Sequence, residues 1–204
     1  MIFMGHLSTF RSGRTRSWRA AAAALCLWVA PARSETAAPR DWFVHTYVAQ
    51  VTNDTFIDSL RLKTDFDASR LVAVGLGRKF SAPYEHTQLE WELNAAQHWG
   101  LQNHPEINAV GIVRWHGYSW DHAVRTTFAY GLGASWAFAT PEVEELEGKG
   151  VRGLVYMLFE ITAAPPQTRS WSGFLRIHHR SGVFGLVSDG EGSNFIGLGL
   201  RHHF

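Results

Sequence analysis

Beyond residue 40 the chain divides into eight segments of roughly 10 to 13 residues, rich in Val, Ile, Phe, Tyr, Trp and Thr and parted by polar or Gly/Pro turns. They run near Trp42 to Val51, Arg70 to Phe80, Thr87 to Trp99, Pro105 to His116, Ala123 to Ala137, Val151 to Ala163, Ser170 to Ser181 and Ser193 to Phe204. No stretch after the N-terminal region approaches about 18 consecutive apolar residues, which excludes a helical membrane protein. Eight strands are the smallest common number for a closed membrane barrel. The expected fold is therefore all-β, an eight-stranded antiparallel transmembrane β-barrel.

Alternation separates strands from buried helices most clearly in the last three segments, because side chains of a strand point to its two faces in turn. In Val151 to Ala163 one row holds Val155, Met157, Phe159 and Ile161, and the other holds Leu154, Tyr156, Leu158 and Glu160. In Ser193 to Phe204 the rows are Ile196, Leu198, Leu200, His202, Phe204 and Gly197, Gly199, Arg201, His203. An apolar row outward with small and charged residues inward suits a narrow barrel in lipid. Seven of the nine tryptophans follow residue 40, mostly near strand ends, as aromatic girdles require. Phe204 ends an alternating apolar strand, the kind of terminus that barrel assembly machinery would recognise.

The N-terminus carries Arg11, Arg14, Arg16 and Arg19, then the apolar run Ala20 to Ala30, then Ala30-Pro31-Ala32-Arg33-Ser34. That is the three-part layout of a secretory signal, so residues 1–34 are expected to be an export peptide and residues 35–204 the outer-membrane barrel. All 18 acidic residues lie beyond it, against 14 of the 19 basic ones, giving the barrel a net charge of −4. Without a basic cluster, nucleic acid is not expected as a partner. The single cysteine, Cys26, lies in the apolar run, so the barrel has no disulfide and no thiolate metal site. A lipoprotein reading of Cys26 ranks below ordinary cleavage.

The chain has 11 histidines but no His-Glu-x-x-His or similar tight spacing, so no metal and no cofactor is expected. The pairs His178-His179 and His202-His203 place their members on opposite faces of a strand. In Phe174 to Gly182 the period puts Leu175, Ile177, His179 and Ser181 on the lipid side, and Arg176, His178 and Arg180 in the lumen. With a periplasmic C-terminus the seventh strand runs outward. His179 and Ser181 then meet the acyl chains and sugar esters of lipopolysaccharide. A serine attacks an ester only if a base takes its proton, and histidine does so best when a carboxylate fixes its tautomer. The loop Gly182 to Gly192 offers Glu191 first and Asp189 second.

His179-Arg180-Ser181 followed by Glu191 resembles the lipid A 3-O-deacylase family, the PagL-like outer-membrane esterases, which are eight-stranded barrels with a His-x-Ser pair and a following Glu. The resemblance implies an esterase acting on lipid A with catalytic His179, Ser181 and Glu191 on the outer wall. The motif itself covers about the last 30 residues. Two departures stand out: the asparagine that follows the family's serine is Gly182 here, and the Glu lies closer to the serine. The oxyanion would then rely on Gly182 or other backbone N–H groups, or on Asn194. The alternative is a non-enzymatic barrel serving as anchor, adhesin or assembly partner. A narrow pore fits poorly, since side chains fill an eight-stranded interior.

Overall fold

The computed structural model describes residues 40–52, 59, 61, 65–82, 84–183, 185–186 and 192–204. The expected export peptide and both loop carboxylates, Asp189 and Glu191, lie outside the described residues. Eight antiparallel strands close on themselves: β1 Trp42–Thr52, β2 Phe66–Ser81, β3 Thr87–Trp99, β4 Pro105–Trp115, β5 Arg125–Ala137, β6 Gly153–Ala164, β7 Trp171–Ser181 and β8 Ser193–His203. Closure comes from β1 pairing with β8, from Phe43 opposite His203 to Thr52 opposite Asn194. Beyond that ladder, Trp42 and Phe204 exchange backbone hydrogen bonds at 3.2 and 3.0 Å. A closed sheet leaves no edge, so every strand's backbone polar groups find partners within the wall, as lipid demands.

Two details differ from the sequence reading. Strand β2 starts at Phe66 rather than Arg70, because the register shifts between Gln50 and Thr52, where two steps along β1 face four along β2, and the pairing continues to Phe66. A short helix, α1 Glu142–Glu147, lies in the β5–β6 connection. Both are tertiary effects: Gln50 Nε2 donates to the Asp67 carbonyl at 2.7 Å, and Arg180 Nη1 donates to Glu144 Oε1 at 2.9 Å.

The two faces of the wall have opposite chemistry. Outside, Val48, Val74, Leu93, Leu132 and Leu198 are each more than half exposed, a belt that only lipid would accept. Aromatic residues rim it at both ends: Trp42, Phe80, Trp115, Trp171 and Phe204 at one, Phe66, Trp99, Trp136 and Phe138 at the other. Inside, Glu90 and Glu92 of β3, Arg114 of β4, Glu160 of β6, Arg176 of β7 and Arg201 of β8 meet across the lumen. Arg176 forks onto Glu92 at 2.7 and 2.9 Å and onto Glu160 Oε2 at 2.9 and 2.6 Å. Taking charges out of water costs several kcal/mol each, about repaid only when every charge finds bonded partners. Arg114 and Arg176 meet that condition through bonds of 2.6 to 3.0 Å, while Arg201 is held by one long bond to Glu90 at 3.3 Å and an ion pair with Glu160 at 2.9 Å.

The plug also needs room, which small residues on facing strands supply. A Cβ at Gly77 would come within 2.2 Å of Phe43 Cζ, and one at Gly199 within 2.3 Å of Phe174 Cζ. Those two rings flank Arg201 and pack its guanidinium at 4.3 and 5.8 Å. Side chains thus fill the interior, as the narrow strand number requires.

Candidate active site

Strand β7 carries the candidate residues, and its pairing fixes which way they face. Leu175, Ile177, His179 and Ser181 lie opposite Ile161, Phe159, Met157 and Val155 of β6. Ile161 is well exposed on the outer wall, so the whole row, His179 and Ser181 included, is outward. Arg176, His178 and Arg180 point inward and are buried in the networks of the lumen. The face assignment made from periodicity therefore holds for all of them.

The partner of His179 comes from β8. The register sets Asn194 directly across from His179, and the Nδ1–H of the ring donates to Asn194 Oδ1 at 2.6 Å. Both residues are nearly buried. An amide oxygen cannot accept unless Nδ1 holds the proton, so this contact places the ring's lone pair on Nε2. The contact uses the Asn194 amide oxygen, and the expected oxyanion role belongs to the amide nitrogen of the same side chain. The sequence hinted at this position through the β7–β8 pairing, but the loop length left the register open.

Ser181 ends β7. Its Oγ accepts the Val183 backbone N–H at 3.0 Å, and among the described residues no hydrogen bond joins it to His179. Gly182 between them is buried, and Val183 has φ of 54°, a left-handed conformation that a β-branched residue adopts only at a cost of about 1–3 kcal/mol. Gly192, on the return of the loop, lies so close to β7 that a Cβ there would come within 2.1 Å of the Arg180 carbonyl oxygen. The neck of the loop is therefore tight on both sides.

Below His179 the outer wall is hollowed. A groove of about 720 Å³ is lined by Trp115, Phe128, Tyr130, Met157, Phe159 and Ile161, with Leu175 and Ile177 of β7. Its lining is almost wholly apolar at the surface, and Met157 and Ile177 bring its upper end next to His179. Periodicity could show that these residues face lipid, but not that β5, β6 and β7 leave a hollow between them.

On the lumen side of the same strand ends, a second polar cluster surrounds Glu106. Its Oε1 accepts from His178 Nε2 at 2.9 Å and from Asn108 Nδ2 at 2.8 Å, and its Oε2 accepts from His98 Nε2 at 3.1 Å. Tyr47 donates to His178 Nδ1 at 2.7 Å. Arg180 binds Glu144 of α1, which also accepts from Ser193 Oγ at 3.0 Å. The cluster ties α1, β3, β4, β7 and β8 together behind the outer-wall residues.

No family model and no curated protein matches this chain in sequence. Among solved structures it is similar to the outer membrane enzyme PagL, with a TM-score of 0.52 and 12% identity over 78% of this chain and 98% of that one. It is similar also to Neisserial surface protein A (NspA), with a TM-score of 0.50 and 9% identity over 80% of this chain and 97% of that one. The fold is that of an outer-membrane barrel. At such identities the likeness extends to architecture and not to chemistry, which rests on the residues themselves.

Proposed function

We propose that this barrel is an outer-membrane esterase that removes an ester-linked acyl chain from lipid A, in the manner of a lipid A 3-O-deacylase. The observation that carries the reading is the outward row of β7: a histidine with its Nδ1 proton fixed by Asn194, a serine two residues on, and an apolar groove beginning beside them. A periplasmic C-terminus puts this end of the barrel at the cell surface, where the connections β1–β2, β5–β6 and β7–β8 are the longer ones. The acyl chain lies in the groove and its ester reaches Ser181.

In the reaction Ser181 Oγ turns from Val183 toward the acyl carbonyl carbon while His179 Nε2 takes its proton. The C–O bond forms, and the carbonyl oxygen becomes an oxyanion held by the Val183 or Gly182 N–H and the Asn194 amide nitrogen. Collapse breaks the sugar ester bond, and His179 returns the proton to the leaving sugar oxygen. Water then repeats the steps on the acyl-serine, releasing a fatty acid. Glu191 or Asp189 stays in the proposal as a carboxylate that assists His179. Delivery by an export peptide over residues 1–34 and insertion by barrel assembly machinery belong to the same proposal.

The bond from Val183 to Ser181 favours a second reading, a non-enzymatic anchor, adhesin or assembly partner whose serine only closes a turn. Reaction of the folded protein in detergent with a fluorophosphonate probe separates the two. Labelling of Ser181 that disappears in His179→Ala supports the esterase; an unlabelled wild-type protein supports the second reading.

A further inference from the structure

We propose that His98, His104 and Glu106, at the loop end of the β3–β4 hairpin, form a binding site for a divalent transition metal such as Zn2+. The three side chains offer two imidazole nitrogens and a carboxylate oxygen within 4.8 Å of one another, and all three are buried. That is a donor set typical of zinc. No helical ligand spacing marks it in the sequence, because His98 and His104 belong to opposite sides of a hairpin and are joined by pairing. The His98 N–H donates to the His104 carbonyl at 3.0 Å, which holds the two together.

The second observation is His104 itself. Its side chain is 1% exposed, yet neither ring nitrogen has a hydrogen-bond partner among the described residues. It is only stacked on the His98 ring, at 4.6 Å between centroids. A buried polar ring without a partner is costly, and a metal ion repays that cost through one of its nitrogens.

The surroundings suit coordination. Glu106 keeps Oε1 on His178 and Asn108, so Oε2 is the oxygen turned toward His98, at 3.1 Å; Arg180 Nε also faces it at 3.6 Å, and Arg180 keeps its shorter bond to Glu144 at 2.9 Å. On binding, His98 Nε2 gives up its proton and becomes a ligand with the proton at Nδ1. Gln102, now donating to His98 Nδ1 at 2.8 Å, turns its amide to accept there instead. That turn gives up only a long contact of 3.4 Å from the Val143 N–H to Gln102 Oε1. The near-parallel stack of the rings means that His104 must swing about its own side-chain bonds to aim a nitrogen at the ion. Water completes the shell. The ion would staple the hairpin to β7 through Glu106 and His178, independently of any chemistry at Ser181.

Tag-free protein folded in detergent, equilibrated with Zn2+ and dialysed, tests this by metal analysis and X-ray absorption. The expected result is stoichiometric zinc with two imidazole nitrogens in the first shell at about 2.0–2.1 Å, and a rise in unfolding temperature on zinc addition. His104→Gln should lose the zinc while still migrating as a folded barrel, and His116→Gln, at an exposed histidine elsewhere, should keep it. Zinc absent from the wild-type protein, held equally by His104→Gln, or bound through fewer than two imidazoles overturns the proposal. The absorption spectrum needs only the wild-type chain, so a misfolded variant does not leave the question open.

Discussion

His179 Nδ1 and Asn194 Oδ1 lie 2.6 Å apart across the β7–β8 pair, a contact that fixes the proton at Nδ1 and the lone pair at Nε2. Asn194→Ala is expected to lower ester hydrolysis by tenfold or more, since general-base catalysis contributes about 10²–10⁴ and depends on the tautomer. Asn194→Asp should retain activity, because a carboxylate accepts the same proton and stabilises the charged ring. Hydrolysis kinetics in detergent micelles check both. Full activity in Asn194→Ala would remove Asn194 from the machinery.

The groove predicts a chain-length effect. Leu175→Trp places an indole among its lining residues, and hydrolysis of long-chain esters should fall roughly tenfold while short-chain esters are cleaved as before. An equal loss for both lengths would mean that the groove does not hold the acyl chain.

Much of this architecture is legible in the sequence, because alternation is a local signal that each strand states for itself. The row Leu175, Ile177, His179, Ser181 follows from period alone. What the sequence does not show depends on pairing between distant segments. The start of β2 at Phe66 needs the irregularity between Phe66 and Arg70, opposite Thr52 and Gln50 of β1. Helix α1 is a short acidic run, Glu142–Glu147, held by Arg180 of β7 on Glu144 and by the burial of the single apolar Val143 rather than by an apolar stripe. The orienting role of Asn194 needs the exact register of β8 on β7, and the His98–His104 pair needs the hairpin to close.

The lumen network predicts an asymmetric response to mutation. Arg176→Ala leaves Glu92 and Glu160 short of their closest guanidinium and should cost about 3–5 kcal/mol in unfolding free energy. Replacing Arg176 and Glu92 together by Met and Leu should cost less than the single change. Urea unfolding followed by tryptophan fluorescence in detergent measures it, and a single variant as stable as the wild-type protein would contradict the account of the plug.

The belt predicts a dependence on depth. Val74 is 59% exposed near the middle of β2, whereas Tyr84, 75% exposed, lies in the β2–β3 turn. Val74→Arg should weaken folding into bilayers by about 2–4 kcal/mol, and Tyr84→Arg by no more than about 1 kcal/mol. Equal effects at the two positions would argue that the outer wall does not face lipid.

If the β7 row hydrolyses an ester of lipid A, the product lacks one acyl chain. Mass spectrometry of lipid A from Gram-negative cells expressing the full chain, beside cells expressing Ser181→Ala at equal membrane levels, tests it most directly. Lipid A lighter by one ester-linked acyl chain is expected with the wild-type protein, and unaltered lipid A with Ser181→Ala. Identical lipid A in the two strains, with the wild-type barrel folded in the membrane, would contradict it.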